Sequence, residues 1–158
     1  MIFEIILAKA IAEGLTALAE KLRVMESKIA GASAGLTTAE LQSYASQATN
    51  VGTKLPNEVV LGKLIEGSSA SYEQVAKSRG SGYFWLNDWD NLNARLGYEN
   101  MWEINKQYLA NRVSEGRTFV LVHDPSTATG SFLREIEYLK SQRYADPVKY
   151  DGYWRMTK

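Results

Sequence analysis

The chain has 158 residues, 45% hydrophobic and 23% charged, which is enough apolar material for one globular core. It has no cysteine, which excludes a disulfide framework, a thiol nucleophile and cysteine-ligated zinc. Eighteen basic side chains balance eighteen acidic ones, and there is one histidine. The basic excess of most nucleic-acid binders is therefore missing, and a two-histidine zinc site is excluded.

The N-terminal stretch is apolar but broken by Glu4, Lys9 and Glu13. It is too short and too charged for a membrane span and lacks the basic start of a signal peptide, so no stable membrane anchor is expected. Residues 2–30 predict one long helix. Its Ile11, Leu15, Leu18, Leu22, Met25 and Ile29 recur at alternating steps of four and three, the pattern of an a/d seam. The segment 31–35 reads as a flexible joint. Two parts are expected: a helical interaction segment over 1–50 and an α+β domain over 51–158.

Thr37 and Glu40 form a capping-box pattern that opens a short helix. Residues 50–56 read as a linker. Glu58–Leu61 is β-prone and closed by Gly62. Ser71 and Gln74 give a second capping-box pattern, opening a helix that ends at Arg79 and Gly80. Tyr83–Leu86 predicts a strand, and Asp88–Asp90 a turn or N-cap. A longer helix is predicted over 99–113. Arg117–Val122 is nearly unbroken in apolar and β-branched residues, as a central strand buried on both faces would be. A turn at Asp124-Pro125 follows it, then a helix over 131–142. Asp151-Gly152 between two β-prone runs is a hairpin signal.

No phosphate loop, dinucleotide fingerprint or metalloprotease motif is present. His123, at the end of the best strand, is the one side chain that titrates near neutrality unaided, and so is a candidate general acid or base. The hydroxyl-rich segment 126–131 ahead of a helix suits a phosphate or ordinary capping. Glu135 lies within about 40° of the buried stripe of its helix, where a carboxyl can gain a raised pKa. Lys63, Lys77 and Arg79, with Tyr72 between them, could hold a nucleic-acid backbone and stack a base. The four tryptophans could stack bases too, although core packing accounts better for at least three of them.

Several stretches together resemble the C-terminal toxin modules of contact-dependent growth inhibition and related polymorphic toxin proteins of bacteria. They are Val59–Lys63, Ser71–Lys77, Gly82–Phe84, then Trp102, Asn105, Lys106 and Leu109, then Phe132, Glu135, Ile136 and Leu139, and the closing pair Tyr153-Trp154. The match spans residues 56–158, about two-thirds of the chain.

The resemblance implies a small, twisted, mainly antiparallel sheet with packed helices, as in the barnase, EndoU, colicin and RelE group. It implies cleavage of RNA, above all transfer RNA, by acid/base catalysis without metal or cofactor. A cognate immunity protein is the expected partner. Delivery would be by secretion or from the cell surface, with action in the target-cell cytoplasm. The helical leader would correspond to the variable region that precedes such toxin domains. The neutral net charge calls for a host protein that presents the RNA.

On this reading His123 carries one proton transfer and Glu135 or Lys63 the other. Thr127 or Thr129 contacts phosphate, and Lys77 and Tyr72 hold the substrate. The alternatives are a toxin that consumes NAD or transfers ADP-ribose, and a non-enzymatic interaction or immunity module.

Overall fold

The computed structural model describes residues 35–158. The helix expected over 2–30, with its heptad seam, lies outside the described residues. Ala45–Lys158 forms one compact unit, beginning a few residues before the expected boundary at 51. Ahead of it the chain enters helix α1 (Thr38–Gln47) through the expected capping box. The Thr37 amide donates to Glu40 Oε1 over 2.8 Å, and the Glu40 amide to Thr37 Oγ1 over 3.1 Å, so each residue satisfies a donor of the other.

The compact unit continues with β1 (Thr49–Asn50), β2 (Leu55–Leu61), α2 (Tyr72–Arg79), β3 (Ser81–Phe84), α3 (Trp89–Leu96) and α4 (Tyr98–Ser114). Then come β4 (Thr118–Leu121), a single 3-10 turn (Pro125–Thr127), α5 (Gly130–Ser141), β5 (Val148–Tyr150) and β6 (Tyr153–Met156). The fold is α+β. Among the described residues no helix is long and apolar enough to cross a membrane.

The six strands form one sheet in the order β1-β3-β2-β4-β6-β5. Its middle is parallel: β2 pairs in parallel with both β3 and β4. The outer pairings, β1 with β3, β4 with β6 and β5 with β6, are antiparallel. The sheet is thus mixed, mainly antiparallel as expected in three of its five pairings, with a parallel middle. The reason lies in the connections: β2 reaches β3 through α2, and β3 reaches β4 through α3 and α4. Helical crossovers of this length return the chain in the same direction.

Both faces of the central strands are covered. On one face Val60, Val120 and Val122 pack with Ala76, Val75 and Tyr72 of α2. On the other, Val59, Leu61, Phe119, Leu121 and Met156 are fully buried. There Phe84 meets Tyr108 of α4 and Trp89 of α3 edge-on, and Phe119 meets Tyr144 in the same way. Burial on two faces requires the unbroken apolar run of β4.

The winding therefore reverses at β2. The chain leaves β2 across one face to reach β3 on one side, then crosses the other face to reach β4 on the other side. The switch point lies at the carboxyl ends of β2 and β4, and in open sheets with parallel strands such a point is where ligands bind.

At the opposite, amino edge of the strands, Glu58 receives two bonds from Arg79, over 2.8 and 2.9 Å, and one from the Ser81 hydroxyl. Gly80 ends α2 at φ 73°, in the left-handed region that glycine enters without cost. At the β5–β6 turn Asp151 and Gly152 both have positive φ, 53° and 84°, as a two-residue hairpin turn requires.

Candidate active site at the carboxyl edge

The ends of β2 and β4 are joined by a side chain. The Lys63 amide donates to His123 Nδ1 over 2.8 Å, and the imidazole edge lies against Gly62. The Lys63 ammonium turns toward the segment after β4 and donates to Thr127 Oγ1 over 3.1 Å. The Thr127 hydroxyl in turn donates to the Asp124 carbonyl over 2.7 Å. Asp124 folds the segment back by accepting from the amide and hydroxyl of Ser126, over 2.9 and 2.8 Å. An ammonium has three donors, so the Thr127 bond leaves Lys63 capacity for an anion.

This geometry fixes the state of the histidine. A backbone amide can donate only to an unprotonated Nδ1, so the ring is neutral and carries its proton on Nε2. Burial pushes its pKa below the ordinary value. The Ala70 carbonyl opposes this, and the Lys63 charge adds to it. The carbonyl does not reach hydrogen-bond geometry, and Nε2 is buried without a partner. With Nδ1 accepting from the Lys63 amide and Nε2 buried, the imidazole clasps the ends of the two strands.

Glu135 is the buried carboxyl among the expected site residues. Its side chain reaches inward from α5 and is 7% exposed. Burial pushes its pKa up to about 7, against the opposing bond from Asn105 Nδ2 at 3.0 Å. The Oδ1 atom of Asn105 is buried and unpartnered. Tyr72 and Tyr108 both lie in the field of the carboxylate, and burial first, then that charge among others, raises both phenols well above their usual range. The Tyr72 hydroxyl is spent on the Phe84 carbonyl at the end of β3.

Tyr72 connects the two halves of the site. Its β-carbon faces Gly62 beside the imidazole, while its ring senses Glu135. Lys63, His123 and Thr127 are thus bonded together at the switch point with Tyr72 against Gly62, while Glu135 is linked to them through its field at Tyr72. Thr129 stands exposed at the N-cap of α5 with its hydroxyl unused for capping.

Lys77 is not brought there. It is exposed near the end of α2, and that helix runs back to the amino edge, where Ser81 pairs with Leu55. Its expected substrate contact is withdrawn on that ground. Arg79 is engaged by Glu58 at the same far edge. The second capping box is also corrected. The Ser71 hydroxyl accepts from the Ile65 amide and donates to Glu73, so it makes no cap bond. None of the four tryptophans is fully buried: Trp85 is exposed, and Trp89, Trp102 and Trp154 are half-buried.

Sequence reasoning gave no chemical role to Asn105 or Tyr108. The available signal was their spacing: three apart on α4, they present two polar groups on the stripe that also carries Ile104 and Leu109. Compared with known proteins, the chain matches no family model, no curated protein and no solved structure.

Proposed function

We propose that this chain is a ribonuclease toxin domain that cleaves transfer RNA and is neutralised by a cognate immunity protein. The observation that carries the reading is the Lys63 ammonium held by Thr127 at the switch point, beside the imidazole that fixes its backbone, with a buried carboxyl titrating at about 7 in the field of Tyr72. Lys63 binds the phosphate. His123, a positioning residue, holds the Lys63 backbone in place. In the reaction Glu135, as carboxylate, takes the proton of a ribose 2′-hydroxyl. The freed oxygen attacks phosphorus, and the 5′ oxygen leaves with a proton from the Lys63 ammonium. The products are a 2′,3′-cyclic phosphate and a 5′-hydroxyl end, and solvent restores both protons. Such a scheme needs only a base, an acid and charge stabilisation. Action in a target-cell cytoplasm after export is part of the same reading.

The test is digestion of total tRNA by the purified chain, alone and with cell extract to supply any presenting host protein. Cleavage that leaves cyclic-phosphate ends is expected, together with loss of about a hundredfold or more in Lys63→Ala and Glu135→Gln. Co-purification with the product of the neighbouring reading frame should abolish it. Intact tRNA under all these conditions would sink the reading. The two tyrosines beside Glu135 favour one second reading, an NAD-consuming toxin, which intact RNA with falling NAD would select.

A further inference from the structure

The β5–β6 hairpin carries two side chains to the same edge that the site above does not use. Leu121 stands opposite Trp154 across the β4–β6 pairing. The chain ahead of Trp154 therefore rises past the end of β4, alongside His123 and Asp124. On β5, Lys149 stands opposite Trp154, so the two share one face of the hairpin. The Lys149 ammonium lies over the indole, 5.3 Å from the ring centre. Its charge also reaches Asp124. The bonds from Ser126 hold that carboxyl below the usual range, and Lys149 and Lys63 add to the effect. The two lysines thus flank one short segment of chain from opposite sides.

Packing does not account for this pair. Every residue of β5 is exposed, and Trp154 keeps part of its indole open where Met156, two residues on, is fully buried. A half-open aromatic ring beside an exposed ammonium, two strands from the Lys63 cation, is the combination that holds a single-stranded nucleotide: stacking for the base, ammonium for the phosphate. Strand spacing puts the β6 edge about 10 Å from the end of β2, a separation suited to a neighbouring nucleotide and too long for contacts to one phosphate. Stacking by a base outweighs an exposed cation–π contact. An arriving base would displace Lys149 from the indole and free it for phosphate.

Resting on the ribonuclease reading, we propose that Trp154 and Lys149 form the subsite for the nucleotide next to the cleaved phosphate in single-stranded RNA. Trp154 stacks its base and Lys149 binds its phosphate.

The test is steady-state cleavage of tRNA by the full chain, with fluorescence anisotropy on a labelled single-stranded RNA oligonucleotide. Trp154→Ala should raise KM and Kd about tenfold, with a much smaller effect on kcat. Trp154→Phe should recover most of the loss. Lys149→Ala should weaken binding and reduce its salt dependence by about one ion. Unchanged KM and Kd in Trp154→Ala would overturn the proposal. So would equal losses in the Ala and Phe variants that follow their melting temperatures, which would assign the indole to packing. If wild-type chain neither binds nor cuts RNA, the ribonuclease reading falls and this subsite with it. If RNA is cut equally well by wild type and Trp154→Ala, the subsite alone falls.

Discussion

The imidazole of His123 lies so close to Gly62 that a β-carbon on the glycine would stand 2.6 Å from Nδ1 and 2.8 Å from Val122 Cγ2. Both distances are shorter than any carbon contact tolerates, and neither neighbour can retreat: one is bonded to Lys63 and the other is in the core. Gly62→Ala is therefore expected to cost about 2–3 kcal/mol, in the range of an overpacked core. Urea denaturation should show it. In the double variant with His123→Ala the contact with the ring is gone and only that with Val122 remains, so the double variant should cost less than the sum of the two single ones. Simple additivity would mean that the contact is not what forbids the methyl.

Removing the imidazole leaves the Lys63 amide without its acceptor. His123→Ala should lose about 1–3 kcal/mol from that orphaned donor, and His123→Gln, which can accept, should lose less. The pH dependence has a definite sign. A histidine whose folded pKa lies below its unfolded one binds fewer protons when folded, so stability falls as pH drops through 6.5 toward the folded value. Melts between pH 7 and pH 5 should show the stability of wild type relative to His123→Gln falling with pH, on top of the slope that Glu135 gives both.

Glu135 has the opposite linkage. Its folded pKa of about 7 exceeds the unfolded value of 4.5, so its contribution is most favourable below 4.5 and declines as pH rises through 7. The span corresponds to about 3 kcal/mol. Glu135→Gln should be stabilised relative to wild type at pH 8 and not at pH 4. An equal difference at both pH values would show that the carboxyl is not the titrating group. On the proposed mechanism, kcat/KM of wild type should climb with pH around 7 as the base ionises.

At the far edge, burial pushes the Glu58 carboxyl up, but the bonds from Arg79 and Ser81 outweigh it and hold it below the usual range. Glu58→Gln should cost about 2 kcal/mol at pH 7, because Arg79 keeps its charge while losing its bidentate partner. A depressed carboxyl stabilises above its unfolded pKa and loses that effect as pH falls through the folded value, so the deficit should shrink in acid. RNA cleavage should be unaffected, since this cluster lies at the opposite edge from Lys63. Loss of activity in step with Lys63→Ala would contradict that separation.

What the sequence made legible follows a physical division. Local signals worked where the cause was local. The Thr37–Glu40 box formed both its bonds, Gly80 ended α2, Asp151-Gly152 made the hairpin turn, and the apolar run of β4 became a strand buried on both faces. The Ser71 box failed because a partner distant from the helix start, the Ile65 amide, claimed the hydroxyl. Helix α3 went unread because Trp89–Leu96 has only Leu92 and Leu96 buried, too few apolar positions to declare a period. Strand β1 hid at the start of the supposed linker, since two residues cannot show alternation. Parallel pairing in the middle of the sheet has no local signature at all.

The candidate site was legible as a set of residues but not as an arrangement. His123 and Glu135 stood out by chemistry and by position on a strand end and a helix face. That Lys63 would meet His123 through its backbone amide, fixing the tautomer, depends on two strand ends brought side by side. Lys77 was misplaced because sequence proximity to Tyr72 ignored the direction in which α2 runs.

The bond between Lys63 and His123 spans sixty positions in the chain, and that between Lys63 and Thr127 sixty-four. Neither can exist until β2 and β4 are aligned across the stretch of chain that holds α2, β3, α3 and α4. Contacts of such long sequence separation form late and slowly. A chain with its helices in place but its central strands unjoined would hold none of the constellation, so the onset of chemistry should coincide with the last cooperative step of folding.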